Sequence, residues 1–368
     1  MKRKRRMRGM AAILSLGMTL GLLTGCQTMG TKAQYSAQGT ALDTYVSVTL
    51  YGCGSEELAE EALGLCDYYE EIFSRTSETS LLYQANEEGG FIVAADDERT
   101  IFLADLIRTG ITYGELTDGA LDITVEPLTS LWNFGEAGTV PSEASIDEAL
   151  ETVDYTRLEI VEDEAPDCDY TRGEDWTEIY GYVDFHGAKV ELGAIAKGYI
   201  ADRIRDYLVA EGVDSALINL GGNILTIGQK YGTTDFTVGL QKPFGTSQEL
   251  LGKLSAADLS VVTSGVYERY FYAACVPGHY RDGEGEEVLY HHILDPKTGY
   301  PVENDLYAVT ILAADSTVCD ALSTGCFVLG LADGMALVES LEGVEAVMVD
   351  SACELHYSSG AMDYLKTE

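Results

Sequence analysis

Asp320 and Thr324 stand four residues apart in the segment 318–329. If that segment is helical, a carboxylate and a hydroxyl project one turn apart from one face. Oxygen donors of this kind suit Mg2+ or Ca2+, and Mg2+ takes few protein ligands beside waters and phosphate oxygens. A helix cap at Asp320 and a Thr324 hydroxyl bonded back to a carbonyl explain the same pair. His291 and His292, two of five histidines, precede the turn Asp295-Pro296-Lys297-Thr298-Gly299. An imidazole of ordinary pKa near 6.5 can take a proton from a hydroxyl at neutrality; the alternative is a strand end with one ring packed and one solvated. The stretch Val190-Glu191-Leu192-Gly193-Ala194-Ile195-Ala196-Lys197-Gly198-Tyr199 leaves a strand-like run and enters a helix through small residues. Small residues admit a ligand to the backbone, the first helix amides point outward unpaired, and Lys197 adds charge, so the stretch reads as a phosphate site.

Further short polar clusters close apolar runs: Asp118-Gly119-Ala120-Leu121-Asp122-Ile123-Thr124, Asn219-Leu220-Gly221-Gly222-Asn223, Thr263-Ser264-Gly265 and Asp320-Ala321-Leu322-Ser323-Thr324. The Walker phosphate loop, the dinucleotide-binding glycine fingerprint and the zincin motif are absent, which excludes kinases, Rossmann dehydrogenases and zincins. The elements that must position these clusters mix both kinds. Strands are expected at 45–50, 157–161, 180–185, 189–192, 216–220, 236–241, 259–262, 270–275, 307–312 and 345–349. One helix begins after Ser55, with Glu56 and Glu57 in its first turn and a stripe of Leu58, Ala62, Leu65, Tyr69 and Ile72. A second covers 98–115, and a third follows Lys197 to about residue 211. Adjacent strands with a few long helices favour α+β: sheets with packed helices in a single large unit.

Lys2, Arg3, Lys4, Arg5, Arg6 and Arg8 precede an apolar run that ends Leu23-Thr24-Gly25-Cys26. This pattern predicts an export signal over 1–25 and lipidation at Cys26, with a tether over 26–36 and the functional domain over 37–368. No other apolar run approaches spanning length. The expected location is the extracytoplasmic face of the cell membrane, through a lipid anchor. Net charge is −38, and loss of the six signal cations makes it −44, so a nucleic-acid partner is excluded and a phosphorylated substrate requires a compensating cation. Cys53, Cys66, Cys168, Cys275, Cys319, Cys326 and Cys353 show no paired spacing that signals zinc or a disulfide framework. Asp163 to Glu178 and Tyr280 to Glu287 read as surface excursions.

Taken together, and with Pro127-Leu128 and Leu131-Trp132-Asn133-Phe134-Gly135, these clusters resemble in order the ApbE-type FAD:protein FMN transferases. The resemblance implies a T-fold-like catalytic unit that moves FMN from FAD to a Thr or Ser hydroxyl of an exported flavoprotein and releases AMP. It implies Mg2+ held by Asp320, Thr324, the Ala194 carbonyl and nearby Ser323, with His292 as base. It also implies FAD contacts at Gln38, Ala120, Leu121, Asp122, Glu191, Lys197 and Leu294. Two positions depart from the family: Gln38-Gly39-Thr40 replaces Met-Gly-Thr, and Thr76 stands where an aromatic is common, with Phe73 and Tyr83 as the nearby rings. Mg2+-dependent FAD hydrolysis and a flavin-binding lipoprotein are the alternative functions. Ser359-Gly360-Ala361-Met362 lacks a hydroxyl at its fourth position, where the family's acceptor motif ends in Thr or Ser, so the resemblance does not indicate self-flavinylation.

Overall fold

The computed structural model describes residues 33–134, 138–162, 179–246, 248–275 and 287–366. The signal, Cys26, Gly135, Cys168 and the two excursions lie wholly or largely outside these residues. The chain from Ala33 onward forms one unit. It opens with the hairpin β1 (Gln34–Ala41) and β2 (Thr44–Tyr51), so the domain begins inside the expected tether. Residues in β1 alternate exposed and inward, with Ala37 and Ala41 buried, and this pairing holds the segment in the fold. Then come α1 (Glu56–Phe73), α2 (Leu81–Glu88), β3 (Gly90–Ala94), α3 (Glu98–Leu116), α4 (Glu126–Trp132), α5 (Glu143–Leu150), β4 (Glu159–Glu162) and β5 (Ile179–Asp184). The second half holds α6 (Ala196–Ala210), β6 (Ala216–Leu220), β7 (Asn223–Ile227), β8 (Phe236–Gln241), β9 (Leu250–Ala256), β10 (Ser260–Gly265), β11 (Tyr270–Ala274) and β12 (Glu287–His291). It closes with β13 (Leu306–Ala313), α7 (Ser316–Glu339), β14 (Glu345–Asp350) and β15 (Leu355–Tyr357).

The α+β expectation holds, and every strand pairing among the described residues is antiparallel. Eight strands form the main sheet in the order β1-β2-β6-β7-β10-β13-β14-β15. Its interior strand β13 is buried almost throughout, because helices cover one face and the β8–β9 hairpin covers the other. Helices α1, α3 and α6 pack with β2 and β6 in the largest core, where Ile72, Leu103, Ile107 and Ile204 are fully buried. On α1 the buried stripe is Ala59, Ala62, Cys66, Tyr69, Ile72 and Phe73, so Leu58 and Leu65 flank it rather than form it. A separate cluster holds Trp132, whose indole N–H donates to the Gly299 carbonyl (2.8 Å), and this bond ties α4 to the turn after β12.

Two sequence expectations change. Residues 189–192 join no sheet: the Asn86 side chain bonds both the N–H of Val190 (2.7 Å) and its C=O (2.9 Å), doing the work of a neighbouring strand. Helix α7 is long and apolar enough by length and composition to cross a membrane. It is a core helix instead, interrupted by non-helical angles at Gly330, with Cys319, Leu322, Cys326 and Phe327 fully buried beside β10, β13 and β14.

Candidate active site

Helices α6 and α7 cross with almost no space between backbones. A Cβ on Gly198 would lie 2.3 Å from the Ser316 carbonyl, so this glycine serves helix packing rather than ligand approach. At the crossing each helix caps the other. Asp202 of α6 accepts from the amides of Ser316 (3.0 Å) and Thr317 (2.8 Å) and from the Thr317 hydroxyl (2.7 Å). Asp320 of α7 accepts from the Gly198 amide (2.8 Å). Asp315, not Asp320, caps α7 itself, accepting from Val318 N (3.1 Å).

These bonds revise the expected phosphate site. The amide of Ala196 goes to the Leu192 carbonyl and that of Gly198 to Asp320, so the first turn of α6 does not offer an open row of donors. The Ala194 carbonyl, which Gly198 would reach in a regular helix, accepts no backbone bond among the described residues. The pieces that do meet here are oxygens. Thr324 Oγ1 lies 3.1 Å from Ser264 Oγ, which lies 2.8 Å from Ser323 Oγ; Ser323 also donates to the Asp320 carbonyl (2.9 Å). Burial pushes the Asp320 carboxyl above its usual pKa, while Lys197 and the Gly198 bond pull it down. Lys197 Nζ donates to the Gly193 carbonyl (3.0 Å) and stands 4.0 Å from Asp320 Oδ1. The buried Asp320 carboxylate, the Thr324 and Ser323 hydroxyls and the uncommitted Ala194 carbonyl fit a hard divalent cation by donor chemistry. Among the described residues no group of three His, Cys, Asp or Glu stands together to hold a metal ion, so a cation here would rest on one carboxylate and neutral oxygens.

The two histidines divide the roles that the sequence left open. His291 is buried, with Nε2 on the Val302 carbonyl (3.1 Å) and Nδ1 accepting from Ile293 N (3.3 Å), so both nitrogens are spent. His292 puts Nδ1 on the Arg269 carbonyl (3.3 Å). A carbonyl only accepts, so the proton sits on Nδ1 and Nε2 is left as an acceptor. Burial, with His291, Arg269 and Lys197 nearby, pushes the His292 pKa down to about 3, which keeps the ring neutral rather than poised near 6.5.

The remaining expected residues fall around this centre in different ways. Gly325 backs onto Thr117 and Leu121, and Glu191 N donates to the Ile123 carbonyl (2.7 Å), so the loop containing Ala120, Leu121 and Asp122 lies against both α7 and the approach to α6. The Asp122 carboxylate itself is committed, to Thr124 N and Oγ1 (2.7 and 2.6 Å) and Tyr155 N (3.0 Å). Leu294 is buried and bridges to Pro301. Gln38 sits exposed on edge strand β1, accepting from the Tyr45 hydroxyl (2.6 Å), where a groove of about 390 Å3 runs between β1 and α1. Phe73 is buried, stacked on Tyr69 and edge-on to Tyr199, so it is core and not a flavin platform. Arg75, beside Thr76, was not among the expected residues. It pairs with Glu191, donates to Ser130 (2.9 Å) and reaches Glu126 (3.6 Å), joining the end of α1 to α4 and the Glu191 loop. Ser264 was legible in Thr263-Ser264-Gly265; the Arg269 carbonyl, a main-chain group, carried no sequence signal.

Fold and site together define an α+β protein with an oxygen-rich donor cluster beside a lysine and a neutral imidazole. The profile of the ApbE family matches residues 42–348, and the chain belongs to that family. It is 32% identical over 367 residues to a FAD:protein FMN transferase of Treponema pallidum, covering 95% of each chain. A FAD:protein FMN transferase of Klebsiella pneumoniae is 34% identical over 90% of this chain and 94% of its own. The ApbE protein of Thermotoga maritima superposes with a TM-score of 0.73 at 30% identity, over 91% of this chain and all of the other.

Proposed function

We propose that this chain transfers FMN from FAD to a serine or threonine hydroxyl of a partner flavoprotein, with Mg2+ and with release of AMP. The observation that carries the proposal is the buried Asp320 carboxylate, which holds one amide and stands 4.0 Å from Lys197, one turn of α7 from the Thr324 hydroxyl, together with a His292 ring whose Nε2 is left as an acceptor. Relatives that match along nearly the whole chain bear the same activity in their names.

FAD is a pyrophosphate that joins FMN to AMP. The acceptor hydroxyl oxygen forms a bond to the flavin-side phosphorus as its proton passes to His292 Nε2. The bond from that phosphorus to the bridging oxygen breaks, AMP leaves with that oxygen, and FMN remains on the acceptor as a phosphoester. Positioning and charge neutralisation dominate such transfers. Asp320, Thr324, Ser323 and the Ala194 carbonyl would hold Mg2+, which when bound offsets the pyrophosphate charge. Lys197 supplies a fixed positive charge at the same place, against the repulsion of a strongly acidic body.

Incubation of the purified chain with FAD, Mg2+ and a soluble flavoprotein fragment bearing the acceptor threonine or serine tests this reading. Gain of one FMN mass on the fragment with release of AMP is expected. AMP with free FMN would instead identify a hydrolase, and intact FAD a binding protein.

We further propose export and lipid anchorage at Cys26 on the extracytoplasmic face, supported by the basic start, the apolar run and Leu23-Thr24-Gly25-Cys26. Cys26→Ala would move the protein from the membrane to the soluble fraction; retention at the membrane would remove the proposal.

A further inference from the structure

The segment from Glu191 to Ile195 leads into α6 outside any helix or strand, and side chains fix it instead. At Gly193 the N–H donates to Glu191 Oε1 (3.0 Å) and the C=O accepts from Lys197 Nζ (3.0 Å). A Cβ on Gly193 would lie 2.6 Å from Glu191 Oε1, so the carboxylate packs against bare main chain. The next carbonyl along is that of Ala194. Glu191 is in turn held from outside the segment: its Oε2 pairs with Arg75 Nε, just beyond the end of α1. Arg75 Nη1 donates to Ser130 Oγ (2.9 Å) and stands 3.6 Å from Glu126 Oε1, which accepts from the Ser130 hydroxyl (2.5 Å). The Arg75, Glu191 and Glu126 side chains are 24%, 19% and 14% exposed, so water screens these pairs less than it screens an ion pair on an open surface. The planar guanidinium lets Arg75 hold Glu191 with one nitrogen while a second rests on α4.

We infer that Arg75 is a positioning residue for the cation and phosphate site: through Glu191 it fixes Gly193, and with Gly193 the Ala194 carbonyl and the Lys197 ammonium. This inference rests on the cation reading above. Without Arg75 the Glu191 carboxylate stands uncompensated in a chain of net charge −38 and turns toward water, which frees the Gly193 amide and lets the segment move. Groups that orient the ligands of a metal carry much of its affinity, although they never touch it.

The test is a calorimetric titration of Mg2+ into the protein at saturating FAD, for wild type, Arg75→Gln, Glu191→Gln and the double variant, with melting temperatures measured alongside. Arg75→Gln is expected to weaken Mg2+ binding by about tenfold. Glu191→Gln, which leaves the guanidinium facing an amide, is expected to do the same, and the double variant to bind no more weakly than either single one, because both changes break one linkage. Losses that multiply to about a hundredfold in the double variant would overturn the inference, since Arg75 would then act apart from Glu191. Unchanged Mg2+ affinity in a folded Arg75→Gln protein would also overturn it and leave Arg75 a strut between α1 and α4. If Arg75→Gln does not fold, unchanged affinity in Glu191→Gln overturns the inference equally, because the linkage runs through that carboxylate. Absence of Mg2+ binding in wild type would remove the cation reading and this inference with it, whereas wild-type binding that Arg75→Gln leaves intact removes the inference alone.

Discussion

Asp202 and Asp320 stand on opposite sides of the α6–α7 crossing, equally buried at 2% and 3% exposure, and each caps the other's helix. Asp202 is complete: two amides, the Thr317 hydroxyl and the Arg205 guanidinium (2.7 Å) fill its shell. Asp320 has one amide, with Lys197 no closer than 4.0 Å to its other oxygen. The neighbouring histidines repeat the contrast, His291 with both nitrogens bonded and His292 with one. Buried polar groups are normally satisfied, so a group that is filled reads as scaffold and its incompletely filled twin marks the place where a ligand finishes the shell.

Substitutions can break this contrast, and the largest effect belongs to the base. His292→Gln should lower kcat by about a thousandfold at unchanged FAD affinity, the scale of a lost general base. His291→Gln should keep most of the turnover while lowering stability by about 1–3 kcal/mol, as for unsatisfied buried groups. Equal rate losses in the two variants would erase the distinction. Next, Asp202→Ala should cost about 3 kcal/mol in denaturant unfolding, because it strands two amides and a guanidinium. A stable Asp202→Ala protein without activity would invert the assignment. Lys197→Ala should weaken FAD binding by about tenfold and retain some transfer, since lysine supplies a point charge; fluorescence titration measures this. The smallest effect is in pH. His291 and His292 are pushed to about 4 and about 3, chiefly by burial, whereas the unfolded chain protonates near 6.5. The folded state therefore binds fewer protons between about 4 and 6.5, and stability should fall as pH drops through that window, by at most about 1.4 kcal/mol per pH unit for each ring. Unfolding midpoints from pH 5 to 7 should show a shallower slope in His291→Phe.

The contrast between filled and unfilled groups was only half visible in the sequence. The four-residue spacing of Asp320 and Thr324 announced a shared helix face, and the structure places both on α7. The bond to Gly198 was not legible, since it spans 122 residues and depends on how closely two helices cross. Asn86 is similar: it closes the backbone at Val190 from 104 residues away, so a run with strand chemistry has no strand beside it. Strand β7 was hidden by its turn. Gly221-Gly222-Asn223 reads as a stop, but the turn uses only the two glycines, at φ +65° and +91°, and Asn223 pairs with Leu220 as the first residue of the next strand. Local spacing was readable where one element carries both partners, and unreadable where topology brings them together.

The most direct test of the unfinished carboxylate is calorimetric titration of Mg2+ into the FAD-loaded protein, wild type against Asp320→Asn. Asparagine still accepts the Gly198 bond, so the helix cap survives and the melting temperature should hold. Saturable Mg2+ binding in wild type that disappears in a folded Asp320→Asn protein is the predicted result. Binding of unchanged affinity in the variant would contradict it and return Asp320 to the role Asp202 already fills.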